Sequence, residues 1–158
     1  MTLQRIIGRS RRRALIALAV AGFAGAALAE QMTWTVVSVL EANDPAARTF
    51  VRRGVAAFPN GDLAAVRLEG SSMASDGRTM TYDVKLTYTF EDGSTIVQQG
   101  KGKTTGNPGK YADQSGAGAF VGGTGRFAGI TGQTTSVGKG LSSMDAWGEF
   151  KAEYTIAK

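Results

Sequence analysis

The sequence contains no cysteine and no histidine. Disulfide bonds are therefore excluded, as are the thiol nucleophile and the imidazole base of Cys-His and Ser-His-Asp catalysis. These two residue types are also the commonest protein ligands of zinc and other transition metals. We therefore expect no metal and no cofactor, and any catalysis would depend on carboxylates, Lys, Arg, Tyr, Ser or Thr, or on the shape of a site.

Acidic residues are absent from the first 29 positions, which hold five of the 18 Lys and Arg residues. An apolar, alanine-rich run over 14–26 and the small residues Ala27 and Ala29 follow these arginines, as in a cleavable signal peptide. We therefore expect residues 1–29 to be removed and the protein to be periplasmic or secreted. A membrane anchor is the alternative, but the run is short for a transmembrane helix.

Export would leave one domain, residues 30–158, which contains 13 basic and 13 acidic residues. Because its charges balance and form no basic cluster, we expect no binding to nucleic acid, and none to membranes once the leader is cleaved. The adjacent arginines at 11–13 are similar to a twin-arginine export signal, so ordinary secretion and the twin-arginine route both stay open. A homo-oligomer is compatible with such a domain.

Apolar and polar residues alternate with a period of two from residue 33 onward. The clearest case is 79–90, where every second residue from Met80 to Phe90 is apolar, and Asp92-Gly93 then predicts a tight hairpin turn. Residues 71–77 are predicted to form a loop, and 106–109 a turn. The other predicted strands are 33–40, 49–58, 63–69, 95–104, 113–121 and 145–156, with one more after the glycine-rich segment described below.

About eight short strands with almost no helix predict an all-β fold, either an antiparallel barrel or a sandwich. Glycines inside several strands favour the barrel, because the strong coiling of a small closed sheet needs residues without a Cβ atom. We therefore predict a single antiparallel eight-stranded β-barrel.

The segment 122–132 contains five glycines in eleven residues. Part of it fits the glycine pattern of a dinucleotide-binding turn, but such a turn must open a helix, and Gly129 and Gly132 follow instead. A strand, a bend and a second strand explain the segment better. We expect Phe127 and Ile130 to pack into the core and Arg126 to point elsewhere.

Residues 122–132, with the sequence Gly-Gly-Thr-Gly-Arg-Phe-Ala-Gly-Ile-Thr-Gly, resemble a signature of the allene oxide cyclase barrel-like group, which is related to dirigent proteins. The resemblance implies an exported bacterial member with a calycin-like barrel of eight antiparallel strands and an apolar cavity. Allene oxide cyclases close an epoxide into a cyclopentenone, and dirigent proteins steer radical coupling; both hold an apolar substrate in shape without a metal. The polar catalytic residues of these families have no assigned counterparts in this sequence.

Five side chains are candidates for contact with a ligand, and each also has a structural interpretation. Tyr82 and Tyr88 could present hydroxyl groups to a cavity or simply fill the barrel. Trp34 and Trp147 could stack on a ligand or pack in the core. Arg126 could bind a carboxylate at the barrel mouth or pair with an acidic neighbour.

Three functions stay open for such a barrel. The first is a non-catalytic protein that binds a small apolar ligand or has a structural role, and the second is an isomerase, cyclase or dirigent-like enzyme acting on a small apolar substrate. The third is a lipocalin-like carrier, although Met32 stands where that family would have a glycine before Trp34. A cavity of about 300 Å³ or more is the feature that the small-molecule hypotheses require.

Overall fold

The computed structural model describes residues 29–106 and 111–157. The predicted leader, except for Ala29, and the predicted turn after Gly106 lie outside the described residues. Within the described ranges no helix has the length and hydropathy needed to cross a membrane.

Eight β-strands account for almost all of the described chain, and each pairs antiparallel with its neighbours in sequence. The strands are β1 (Glu30–Asp44), β2 (Thr49–Ala57), β3 (Leu63–Ser75), β4 (Thr79–Phe90), β5 (Thr95–Gly106), β6 (Ala112–Thr124), β7 (Ile130–Gly140) and β8 (Asp145–Ile156).

Pairing of the first strand with the last closes the sheet. Val37 in the middle of β1 is opposite Val55 of β2 on one side and opposite Trp147 of β8 on the other. The molecule is therefore an up-and-down barrel, which confirms the predicted all-β class and the single closed sheet of eight antiparallel strands.

The predicted loop at 71–77 is wrong over most of its length, because β3 continues to Ser75. Ser71 still pairs with β2, and the pairing with β4 runs on until Ser75 is opposite Met80. A bulge between Ser72 and Ala74 absorbs the irregularity. Small polar residues are typical of loops, but two neighbouring strands here supply partners for their backbone groups.

The return strand after the Asp92-Gly93 turn alternates poorly in sequence, and the structure shows why. Ile96 and Gln98 are buried inside the barrel, while Val97 lies beside a bulge on the less buried side. Further along β5, Gly100 and Gly102 take the inward positions, so its inner face carries no apolar side chain there. A pattern search cannot recognise an inner face that consists of glycine.

One end of the barrel, here called the filled end, carries the connections 58–62, 91–94 and 125–129. Aromatic side chains occupy its interior: Phe90 lies 4.7 Å from Phe127 and 5.3 Å from Phe58 between ring centroids, and Trp34 stacks on Phe58 at 5.8 Å. These rings pack with Ile130 and Ala152 into one buried cluster. Burial of this apolar surface is the main stabilising contribution to the fold.

The glycine-rich segment is the hairpin connection between β6 and β7 at the filled end. β6 ends at Thr124, a single 3-10 turn covers Gly125–Phe127, and β7 begins at Ile130. Phe127 and Ile130 are buried, as predicted, and Arg126 is exposed. Gly125 has a φ of 60° and lies against Ser94, so a side chain there would be both strained and crowded.

Candidate functional site

A cavity of about 390 Å³ lies inside the barrel at the opposite end from the aromatic cluster. This open end carries the connections 45–48, 76–78 and 141–144. Val36, Leu68, Leu86 and Phe150 line the cavity towards the interior, and Phe150 stacks on Trp34 of the filled half at 5.3 Å. Its volume is within the range of small-molecule sites, about 300–1,000 Å³.

Glycines on the inner wall make room for two large rings that shape the cavity. Phe50 lies over Gly70 and Tyr82 lies over Gly102, so that a Cβ atom at either glycine would overlap the ring. The two rings meet edge to face, with centroids 5.7 Å apart. Glycine on two strands therefore fixes where Tyr82 stands in the cavity.

A second, smaller cavity of about 80 Å³ adjoins the first. Tyr82, Leu86 and Phe150 line both cavities. Gly100 and Gly118, which are opposite each other on β5 and β6, leave this part of the barrel wall without side chains. The barrel is therefore filled at one end and underfilled from its middle to the open end.

Arg52 is the charged residue that points from β2 into the main cavity. Its Nε donates to Ser38 Oγ at 3.1 Å, and its Nη2 donates to the carbonyl oxygens of Ser38 at 3.2 Å and Met144 at 2.6 Å. Burial lowers the pKa of the guanidinium below its ordinary value, while the more distant Tyr82 and Asp145 act in the opposite direction. The group keeps its charge, because an arginine is protonated at any physiological pH.

Tyr82 borders the same cavity and is partly buried. Burial raises the pKa of its hydroxyl above 10, and the Thr104 side chain and the charge of Arg52 oppose that shift. The hydroxyl is therefore a neutral hydrogen-bonding group near neutral pH. Tyr82 is one of the two candidate residues from the sequence that the structure places beside the cavity.

Trp147 is the other candidate residue that borders the cavity. It is partly buried, and it lies in β8 between Ala146 and Gly148, which also line the cavity. Its opposite residue on β7 is Lys139, which is exposed. Trp147 therefore lies at the edge of the site, whereas Tyr82 stands inside it.

Trp34 and Tyr88 are placed in the filled half, where they belong to a buried chain of hydrogen bonds. Trp34 Nε1 donates to the Tyr88 hydroxyl at 3.3 Å, and that hydroxyl donates to Gln98 Oε1 at 3.0 Å. Gln98 Nε2 then donates to Thr134 Oγ1 at 2.8 Å. These hydrogen bonds give the polar groups of Trp34, Tyr88, Gln98 and Thr134 a partner, and neither aromatic residue is part of the cavity wall.

Arg126, the remaining candidate, lies on the outside of the filled end. Its Nη2 donates to Asp62 Oδ2 at 2.6 Å, and its Nε lies 3.5 Å from Asp92 Oδ2. The guanidinium carbon is 4.9 Å from the ring centroids of both Phe90 and Phe127. Arg126 therefore joins three hairpin connections, far from the cavity, in the arrangement of a structural arginine.

Arg52 is not among the residues predicted from the sequence to contact a ligand, although the alternation of β2 contained the signal. Arg52 shares its parity with Phe50 and Ala56, and a residue of that parity points into the barrel. An arginine on the apolar face of a strand is the pattern that would have identified it.

Among residues 29–106 and 111–157 no group of three or more Asp and Glu side chains could hold a metal ion. The expectation of a site without metal or cofactor therefore stays a prediction.

The fold has a counterpart among solved structures. A pterocarpan synthase dirigent protein matches with a TM-score of 0.51 and 15% sequence identity, over 92% of this chain and 100% of that chain. No family model matches this sequence. No curated protein matches it either. At this identity the similarity shows a dirigent-like barrel fold and nothing about activity.

Proposed function

We propose that this protein is an exported, dirigent-like barrel that binds a small apolar ligand in the open-end cavity without transforming it. The observation that carries the proposal is the cavity of about 390 Å³ in a barrel whose other end is densely filled. A purely structural barrel of this size would gain stability from filling that space as well, since unfilled apolar volume is costly. A binding function would explain why the cavity is retained.

Export is supported by the basic, then apolar leader pattern of the sequence. β1 begins at Glu30, the residue that would follow cleavage, and the Tyr154 hydroxyl donates to Glu30 Oε2 at 2.8 Å. The finer kinship with the allene oxide cyclase group belongs to the same proposal. Its support is the segment 122–132, which forms a hairpin end of the barrel and carries no cavity residue.

Binding without turnover is favoured by the ionisable groups of the cavity wall. In the described part of the chain these are Arg52, Arg78 and Tyr82. General acid or base catalysis works best with a group whose pKa is near the working pH. Burial moves the pKa of Tyr82 away from neutrality, so proton transfer has no well-matched group there.

The test is titration with a neutral apolar fluorescent probe, N-phenyl-1-naphthylamine, of protein expressed from the full sequence and purified after export. Gly140 lines the cavity from β7, and a Cβ atom there would meet nothing closer than 3.5 Å. Gly140→Leu should therefore occupy part of the cavity without disturbing the backbone and weaken probe binding about tenfold or more.

Gly122→Leu is the matched control, because a Cβ atom at Gly122 has no neighbour within 4 Å and the position is outside the cavity wall. It should bind the probe as the unmodified protein does. A protein that fails to bind the neutral probe, or equal loss in the two variants, would contradict binding in this cavity.

The second candidate is an isomerase, cyclase or dirigent-like enzyme, and one observation favours it. Arg52 and Tyr82 both border the cavity and could stabilise negative charge on a bound intermediate. Native mass spectrometry would identify a co-purifying ligand, and that compound would then be incubated with the protein. An unchanged mass and optical rotation after incubation support binding alone, whereas conversion that Arg52→Gln abolishes supports the enzyme.

A further inference from the structure

We propose that the ligand of the open-end cavity is an apolar molecule with a carboxylate, and that Arg52 binds this carboxylate. The inference rests on the proposed binding function and specifies the chemical class of the ligand.

The first support is the set of hydrogen bonds that Arg52 makes. A guanidinium has five N–H donors, and the three on Nε and Nη2 are engaged by Ser38 Oγ and by the carbonyl oxygens of Ser38 and Met144. Nη1 donates to no described residue, and it is not among the buried atoms that lack a partner, so it is accessible. The two N–H donors of Nη1 therefore have no partner among the described residues, in a side chain that lines the cavity.

The second support is the charge of the site. Arg52 and Arg78 line the cavity, and no Asp or Glu of the described chain does. Arg53, Arg67, Arg126, Lys101 and Lys139 each pair with a carboxylate, but no described carboxylate lies within 4.0 Å of Arg52. Asp145 acts on Arg52 only from beyond that distance, so the cost of burying the cation is incompletely offset, and a bound anion would offset more of it.

The third support is that the guanidinium of Arg52 is held in place before any ligand binds. Its three acceptors come from β1 and from the connection before β8, so the planar group is fixed across the seam between these strands. A guanidinium fixed in this way loses little freedom when it binds a carboxylate. Val36, Leu86 and Phe150 then offer the apolar wall that the remainder of such a ligand needs.

The experiment compares decanoate with 1-decanol as competitors of the neutral probe N-phenyl-1-naphthylamine at pH 7.5. The two compounds share their alkyl chain and differ in the charged group. A charge-assisted hydrogen bond to Arg52 should make decanoate the tighter competitor by about tenfold or more. In Arg52→Gln the preference for decanoate over decanol should disappear.

Arg53→Gln is the matched control, since Arg53 is adjacent in sequence but pairs with Glu41 on the outer face at 2.7 Å. It should keep the full preference for decanoate. Arg78→Gln tests whether the second arginine contributes, and a preference lost there but kept in Arg52→Gln would overturn the assignment to Arg52.

The outcomes separate this inference from the proposed function. If the neutral probe does not bind, the binding function fails. If the probe binds but decanoate and decanol compete equally in the unmodified protein, the carboxylate inference is overturned and the binding function stands. The comparison in the unmodified protein decides this even if Arg52→Gln does not fold.

Discussion

Arg126 and Asp62 form a hydrogen-bonded ion pair of 2.6 Å between two hairpin connections that are 64 residues apart in sequence. Arg126 also contacts Asp92 and covers the rings of Phe90 and Phe127. The pair therefore closes the filled end from the outside, over the aromatic cluster. Its contribution to stability can be measured because the chain offers a weaker pair for comparison.

Replacement of Arg126 by Gln should lower the free energy of unfolding by about 1–2 kcal/mol. The expected loss combines a partly exposed ion pair with the contacts over two aromatic faces, and urea unfolding measures it. Lys101→Gln is the control: Lys101 lies 4.0 Å from Asp83 and is 76% exposed, so its loss should change stability by less than about 0.5 kcal/mol. Equal effects in the two variants would contradict the structural role of Arg126.

Gly102→Ala should destabilise the protein by about 1–3 kcal/mol, because the new Cβ atom would overlap the ring of Tyr82. Removal of the ring in Tyr82→Ala should make the same glycine substitution much less costly. A double-mutant cycle measured by urea unfolding gives the coupling between the two sites. A coupling near zero would mean that Gly102 does not fix the position of Tyr82.

Tyr88 should make the protein sensitive to alkali. Burial raises the pKa of Tyr88 above the 10 of an unfolded tyrosine, so the folded state keeps its proton when the unfolded state loses it. Stability is therefore fully present below pH 10 and decreases as the pH rises above that value. Tyr82 and Tyr154, whose pKa values are also raised, add to the same decrease.

Tyr88→Phe tests this assignment through the dependence of unfolding on pH between 8 and 11. At neutral pH the variant should lose about 1–3 kcal/mol, since Trp34 Nε1 and Gln98 Oε1 lose their partner. Above pH 10 its stability should fall less steeply than that of the unmodified protein. Tyr111→Phe, at a position 76% exposed, is the control for loss of a tyrosine hydroxyl at neutral pH.

Most of the fold could be predicted, because a strand with apolar side chains on one face is recognisable from its alternating sequence pattern. β4 and β8 have the predicted bounds, and the Asp92-Gly93 turn joins the predicted strands. The extension of β3 to Ser75 and the register of β5 were not predictable in this way. Both depend on pairing with the neighbouring strands, which the composition of a single segment does not encode.

The candidate site was harder to predict, because its position depends on which half of the barrel is filled. Tyr82 and Tyr88 point to the same side of β4 and are only six residues apart. Tyr82 nevertheless lines the cavity, whereas Tyr88 is part of the buried core. Closure of the sheet places Tyr88 edge to face with Trp34, which stacks on Phe58 and Phe120, whereas Tyr82 meets Phe50. For Arg52 the alternation of β2 did indicate an inward position, but a charged residue is not expected inside a barrel.

The glycine-rich segment provides the last prediction, which separates strain from crowding. Gly61 has a φ of 90° and open space around it, so Gly61→Ala should cost about 1–2 kcal/mol from the backbone alone. Gly125 has a φ of 60° and also faces Ser94, so Gly125→Ala should cost more than Gly61→Ala. Gly122 has neither constraint, and Gly122→Ala should change stability by less than about 0.5 kcal/mol. Urea unfolding should show the largest cost for Gly125→Ala, a smaller cost for Gly61→Ala and the smallest for Gly122→Ala; an equal cost at Gly61 and Gly125 would show that the contact with Ser94 is not what requires glycine in the hairpin.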